Sequence, residues 1–189
     1  MRPPLGTLSR ATRSRVLWIT GLATLVGWLF LAFQDGEIRD SGGPGIVPFE
    51  VAGTAERAQE IVDEWGEDGG DAARLSLIVD YPFLLAYSLF LALACTVASE
   101  RFGRRGHAGA ARVGVPLAWA QFVAGACDAI ENAALLRVLD GHTDVYPTLA
   151  LAAAIPKFTL AGLGLIYAIA GLPFGRAASA AQRPPPGAA

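Results

Sequence analysis

Four long apolar stretches constrain the fold of this chain more than any other feature of its sequence. They cover about residues 16–33, 75–98, 113–137 and 146–172 of the 189 residues. Each reaches the roughly 18–20 residues that a helix needs to cross a hydrocarbon core of about 30 Å. Backbone polar groups must be satisfied inside lipid, so such stretches cross it as helices. The sequence therefore predicts an all-α fold, a four-transmembrane-helix bundle over residues 16–174.

Composition favours a membrane protein over a soluble one. Hydrophobic residues make up 53% of the chain and charged residues 17%, whereas an average soluble domain has about 25% charged residues. A soluble bundle is disfavoured because Leu22–Phe33 and Tyr87–Ala98 lack the polar face that surface helices carry. The first apolar run is also longer than the roughly 7–15 residues of a signal peptide. The net charge of −2 predicts no nucleic-acid partner.

Arginine distribution predicts the orientation. Ten arginines lie before the first stretch, between the second and third, or after the fourth, and the other four lie toward the opposite side, with Arg137 at the end of the third stretch among them. Cytoplasmic loops carry the excess of basic residues, which predicts a multi-pass protein of the cell membrane with both termini cytoplasmic. Residues 1–15 are then a cytoplasmic arm. Residues 175–189, rich in Pro and Ala, have the composition of a disordered tail.

The outer loop, residues 34–74, is too long to be a bare connector. Thr54 is a candidate N-cap, and the residues after it have apolar side chains at helical spacing, which predicts an amphipathic helix over about 54–65. Its apolar face consists of Ala55, Ala58, Ile61, Val62 and Trp65. We expect it to pack on the mouth of the bundle. Glu50, which precedes it, is interpreted as a solvated loop acid.

The only lysine of the chain, Lys157, lies about ten residues into the fourth stretch. A charged group at that depth is costly and is usually paired or functional. Asp128 and Glu131 lie in the third stretch, and the helical rise of about 1.5 Å per residue puts Asp128 at the same depth as Lys157. We therefore expect Asp128 to pair with Lys157. Carboxylates outnumber the one ammonium, which makes Glu131 the expected titrating acid.

Helical periodicity collects polar side chains on the inward faces. At about 100° per residue, Gln121, Asp128 and Asn132 form one stripe, while Asp80 and Tyr87 share a face of the second stretch. The fourth stretch has small residues around its lysine, which allow close helix approach. The candidate ligand or proton site comprises Lys157, Asp128, Glu131, Asn132, Asp80, Gln121 and Tyr87.

No cofactor or metal site is expected. Cys95 and Cys127 differ in depth by roughly 15 Å and are interpreted as core residues. His107 and His142 lie in opposite loops without the spacing of metal ligands.

The segment Phe49-Glu50-Val51-Ala52-Gly53, together with Asp80 and Asp128-Ala-Ile-Glu131-Asn132, resembles a group of uncharacterised bacterial four-helix integral membrane proteins of unknown function. The resemblance covers roughly residues 16–172 and implies no activity. High Ala, Gly and Arg with one Lys is typical of a GC-rich bacterial genome. Small multidrug transporters carry a carboxylate in their first helix that this chain lacks, and the histidine–glutamate pattern of the sterol-isomerase/sigma-receptor-like family is absent.

These features favour a protein with an outward-facing intramembrane polar pocket that binds a small or lipid-like ligand, with proton coupling as part of the hypothesis. Asn132 and Gln121 would orient the ligand by hydrogen bonds, and Asp80 would lie at the mouth. One alternative is a membrane scaffold in which the buried charges only hold helices together. Another is a lipid-modifying isomerase or transferase using Glu131 or Asp80 as acid–base. That reading is disfavoured because no nucleophile or metal motif is present. The lipid bilayer is the expected partner, and the oligomeric state stays open.

Overall fold

A computed structural model describes residues 3–171 of the chain and is helical throughout, with no strand in that range. Its elements are α1 (Arg10–Asp40), α2 (Ile46–Glu50), α3 (Ala55–Arg104), α4 (Ala108–Leu139) and α5 (Tyr146–Gly171). Four of them, α1, α3, α4 and α5, are long and apolar enough to cross a membrane. The prediction of an all-α protein with four such helices is confirmed.

The spanning helices extend beyond most of the predicted boundaries. The first helix continues to Asp40, and the second ends at Arg104. The third begins at Ala108, so the loop predicted over 99–112 shortens to three residues. The physical reason is that hydropathy marks only the apolar part of a helix, whereas polar turns continue it at both ends. The arm is helical from Arg10 onward, and the predicted tail lies outside the described residues.

The amphipathic segment predicted over 54–65 forms the first part of α3 and is set off from the rest by a kink at Gly66. Thr54 caps it by accepting a hydrogen bond from the backbone N–H of Arg57. Gly66 then interrupts the helix at φ 60° and ψ −159°, a conformation that side chains other than glycine's rarely allow. The chain resumes a helix directly after Gly66, so the expected loop before the second spanning segment is missing.

An apolar core lies at the end of the molecule that holds α2, which we call the α2 end. The rings of Phe49 and Trp65 meet edge to face with centroids 4.9 Å apart, and the Trp65 indole donates a hydrogen bond to the carbonyl of Pro44. Other fully buried members of this core are Ile38, Ile61, Leu77 and Leu135. The core therefore holds α2 and the first part of α3 against α4.

The opposite end, where α1 begins and α5 finishes, is called the arginine end. There the Arg13 guanidinium forms two hydrogen bonds to the Glu100 carboxylate, joining α1 to α3. The Tyr167 hydroxyl donates to the carbonyl of Ala110 at 2.8 Å and joins α5 to α4. These contacts hold α1 against α3, and α5 against α4, at the arginine end.

The four long helices do not converge equally. α3 lies in the middle and packs against α1, α4 and α5, and α4 and α5 also pack on each other. α1 rests on α3 through two glycines: a Cβ at Gly21 would lie 3.0 Å from the Phe90 ring, and one at Gly27 would lie 2.8 Å from the Phe83 ring. Much of α1 is apolar and exposed, with Trp18 at 77%. Such a surface suits contact with acyl chains rather than with water.

Candidate functional site

The Lys157 ammonium lies among three carboxylates. It donates a hydrogen bond to Glu131 Oε1 at 2.8 Å, and its Nζ is 3.4 Å from Asp128 Oδ1 and 3.5 Å from Glu50 Oε2. The lysine side chain is 9% exposed and that of Glu131 is 0% exposed. We call these four residues the Lys157 cluster. Asp128 does form the predicted ion pair, but Glu131 is the closer partner and the one that is hydrogen-bonded.

Helix geometry explains why two acids of α4 meet one lysine of α5. Asp128 and Glu131 are three residues apart, so they lie on one face of the helix about one turn from each other. Lys157 has a long side chain that reaches between them. Alanines precede it on the facing surface of α5, and Ala150, Ala153 and Ala154 are all buried. Small residues there let α5 approach α4 closely.

Glu50 is not the solvated loop acid that the sequence predicts. Its side chain is only 12% exposed and faces Lys157, because the chain folds back over the bundle after α1. Asp35 Oδ1 accepts a hydrogen bond from the Ile46 N–H at 2.7 Å and starts α2. The apolar neighbours of Glu50 in the sequence were the signal, since a buried Phe49 carries the next residue inward. Burial raises the pKa of Glu50, and the nearby lysine partly opposes this rise.

Asp80 and Asn132 form a second polar contact beside the Lys157 cluster. The Asn132 amide donates to Asp80 Oδ2 at 2.6 Å and connects α4 to α3. Asn132 is buried, whereas Asp80 is partly exposed. The two residues predicted on facing helices are therefore in direct contact, and the Asn132 amide donates its hydrogen bond to a protein carboxylate.

Gln121 lies away from this group, although it shares a helix stripe with Asp128. Its Nε2 donates to the carbonyls of Leu117 at 3.1 Å and Leu160 at 3.0 Å. Seven residues separate Gln121 from Asp128, which is about 10 Å along the helix axis. The predicted orienting role is not supported at this position. The amide instead holds α5 against α4.

A cavity of about 600 Å³ lies between α1, α2, α3 and α5, beside the Lys157 cluster, and we call it the polar cavity. Its polar wall consists of Asp35, Glu50, Asp80, Tyr87, Asp128 and Lys157. Its apolar wall includes Trp28, Leu31, Phe83, Phe90, Leu91, Phe158 and Leu165. Ligand cavities of this size are typically apolar with a few convergent polar groups.

Glu131 does not line the polar cavity, although it is the acid that the sequence predicts to titrate in the pocket. It lies behind Lys157, fully buried between α4 and α5. The carboxylates that do line the cavity are those of Asp35, Glu50, Asp80 and Asp128. Glu131 therefore balances the charge of the lysine from behind and leaves the cavity side with an excess of acids.

Several acceptors of the site have no hydrogen-bond partner among the residues that the structure describes. They are Glu50 Oε2, Asp128 Oδ1 and Glu131 Oε2. Two of these oxygens keep ion-pair distances to Lys157. Glu50 and Asp128 line the polar cavity, so a ligand there that carries hydrogen-bond donors can reach their carboxylates.

The charge balance of the site is negative. Four carboxylates, three in the Lys157 cluster and that of Asp80, lie near one ammonium, so the formal charge is −3 when all are ionised. Within residues 3–171 no group of three or more His, Cys, Asp or Glu side chains is arranged to hold a metal ion. The site therefore offers carboxylate chemistry for a cationic or hydrogen-bond-donating group. Neither a protein-family model, nor a curated protein, nor a solved structure matches this chain.

Proposed function

We propose that this chain is a multi-pass protein of the cell membrane that binds a lipid-like ligand in the polar cavity. The observation that carries the proposal is the cavity itself, which joins apolar walls to four carboxylates and Lys157 in about 600 Å³. The arginine excess supports a cytoplasmic arginine end. The α2 end, with the polar cavity beneath it, then faces outward.

The ligand class follows from the charges. Glu131 already balances Lys157 from behind, and the four acids that line the cavity exceed the cations there. An anionic head group would meet like charges in a poorly hydrated site. A protonated amine would find acceptors, and an alkyl body would cover Trp28 and Phe83. The ligand is therefore an amphiphile with a cationic, hydrogen-bond-donating head.

Proton exchange accompanies binding in this proposal. A second cation beside Asp128 favours the ionised state of every carboxyl group that faces it. Any proton held by these groups in the empty cavity is then released when the amine binds. Glu50 is the acid outside the spanning helices whose raised pKa supports such a release.

The amphipathic first part of α3 serves as a support in this scheme. Its Trp65 holds the Pro44 carbonyl and packs on Phe49, so it positions α2. α2 in turn contributes Ile46, Val47 and Glu50 to the cavity wall. The segment acts on the ligand site through α2, which closes the cavity at the α2 end.

Dodecylamine and dodecanol provide a matched pair of probes, titrated into the full chain in nanodiscs and followed by calorimetry. We expect the amine to bind about tenfold more tightly, because a hydrogen bond to a charged group contributes about 1.5–3 kcal/mol. Asp128→Asn should remove most of this preference. Asp68→Asn, which changes an exposed acid, should keep it. Proton release would appear as a binding enthalpy that depends on the ionisation enthalpy of the buffer.

Fluorescence locates the bound probe. A brominated alkylamine should quench the tryptophan fluorescence more than the matching brominated alcohol does, because Trp28 lines the polar cavity, and this excess should disappear in Trp28→Phe. Equal affinity for amine and alcohol, or an excess of quenching that survives the loss of Trp28, would contradict the proposal.

A scaffold role is the second candidate, and the hydrogen bond from Lys157 to the fully buried Glu131 favours it. Such a pair can serve only to fix the register of α4 against α5. Lys157→Met alone, and combined with Asp128→Asn, separates the two functions. If the double variant regains the lost stability and still binds the amine normally, the charges act only in packing.

A further inference from the structure

A second cavity lies at the arginine end, on the groove between α1 and α3. Its volume is about 700 Å³. It is lined by arginines near its mouth and by apolar side chains beyond them, and we call it the arginine cleft. The apolar lining comprises Leu17, Trp18, Leu22, Leu25, Phe90 and Val97.

The mouth of the arginine cleft is strongly basic. Arg10, Arg13, Arg101 and Arg104 line it together with a single acid, Glu100, so its formal charge is +3. Arg13 engages both oxygens of the Glu100 carboxylate, and Arg104 Nη1 is 3.9 Å from Glu100 Oε2. The Glu100 carboxylate contacts two guanidinium groups there, and the residues that line the mouth keep their formal excess of positive charge.

The apolar part of the cleft continues directly from these arginines. The Arg13–Glu100 contact bridges α1 and α3 at the mouth, and Gly21 against the Phe90 ring brings the helices together again about two turns further along α1. Trp18 lies between these two contacts on the cleft wall. An indole at this level suits the boundary between head groups and acyl chains.

We propose that the arginine cleft binds an anionic phospholipid of the leaflet at the arginine end. Its phosphate would lie among the guanidinium groups, which bind phosphate oxygens in pairs. One acyl chain would fill the apolar part beside Trp18 and Leu25. A free phosphate would use only the mouth and leave the apolar part without an occupant. This inference stands independently of the ligand assigned to the polar cavity.

Quenching of Trp18 by brominated phosphatidylglycerol, present as a minor component in phosphatidylcholine nanodiscs, tests the site. We expect more quenching than the bulk fraction of the brominated lipid produces, and loss of the excess in Trp18→Phe. Brominated phosphatidylcholine at the same fraction should give only the bulk value. Equal quenching by both lipids would overturn the proposal.

Charge variants complete the test. Arg10→Gln combined with Arg104→Gln should weaken the lipid affinity about thirtyfold, since each arginine near an anionic surface contributes about a factor of five. Arg57→Gln with Arg137→Gln removes the same charge from exposed positions at the other end and should leave the affinity unchanged. Equal loss of lipid affinity in both double variants would show that the lipid responds to the general surface potential of the protein and not to the arginine cleft. Displacement of the lipid by inorganic phosphate alone at similar concentrations would refute the acyl-chain part.

Discussion

The side-chain amide of Asn132 donates a hydrogen bond to Asp80 Oδ2 at 2.6 Å and so ties α4 to α3 beside the Lys157 cluster. We expect the Asp80→Ala and Asn132→Ala variants to show a coupling free energy of about 1 kcal/mol, which is typical of polar contacts between membrane helices. A double-mutant cycle on unfolding in mixed micelles measures it. Additive effects of the two substitutions would contradict a direct contact.

Lys157→Met should be strongly destabilising because it leaves three carboxylates without their cation. Breaking a buried ion pair from one side costs about 3–5 kcal/mol. Adding Glu131→Gln should restore more stability than adding Asp128→Asn, because the lysine bonds to Glu131 at 2.8 Å and approaches Asp128 only to 3.4 Å. The free energy of unfolding in mixed micelles gives the ranking, and the reverse order would show that Asp128 is the main partner.

Two glycines of α5 form a matched pair for a packing experiment. A Cβ at Gly164 would collide with the Gln121 amide, whereas a Cβ at Gly162 meets nothing within 4 Å. Gly164→Ala should displace the amide from the Leu160 carbonyl and destabilise the protein by about 1–3 kcal/mol. Gly162→Ala should be neutral or slightly stabilising. Similar unfolding free energies for the two variants would disprove the close approach of α4 and α5.

The buried Glu50 makes stability depend on pH. Burial raises its pKa, with Lys157 opposing, so folding favours the protonated carboxyl group. Its contribution to stability is present in full below the ordinary pKa of 4.5 and is lost as the pH rises through the folded-state value. We expect the Tm in nanodiscs to fall as the pH rises above the ordinary pKa of 4.5. Glu50→Gln should lessen this fall.

Glu56→Gln is the control for that experiment, because it changes an exposed acid at the same end. It should keep the wild-type slope of Tm against pH. The other charged groups around Glu50 are present in both variants, namely Lys157, Asp128, Asp35, Asp80 and Glu131. An unchanged slope in Glu50→Gln would mean that this carboxyl group titrates as it does in the unfolded chain.

Hydropathy was sufficient to predict the four long helices, because the apolar length needed to cross lipid is a property of each stretch alone. Depth and periodicity also brought Asp128 and Lys157 to the same level. The choice of Glu131 as the closer partner depends on how α5 rotates against α4, which no single stretch encodes. Gln121 shows the same limit: periodicity gives its face, whereas its partner, the Leu160 carbonyl, comes from a neighbouring helix.

The position of Glu50 could not be derived from local pattern. It depends on Asp35 accepting from the Ile46 N–H and on Phe49 entering the core against Trp65. Both contacts join parts of the chain that are separated in sequence by more than ten residues. The helix break at Gly66 is similar, because the pattern ends the amphipathic segment at about residue 65, whereas the chain bends at Gly66 and continues as α3.

Phe90 lies on the wall of the polar cavity and on the wall of the arginine cleft, with its ring against Gly21. The same aromatic ring is thus part of the boundary of both cavities. A ligand that moves the Phe90 ring in one cavity changes the volume of the other cavity. By thermodynamic linkage, if a ligand in the polar cavity changes the affinity of the arginine cleft for its lipid by some factor, the lipid changes the affinity of the polar cavity for that ligand by the same factor.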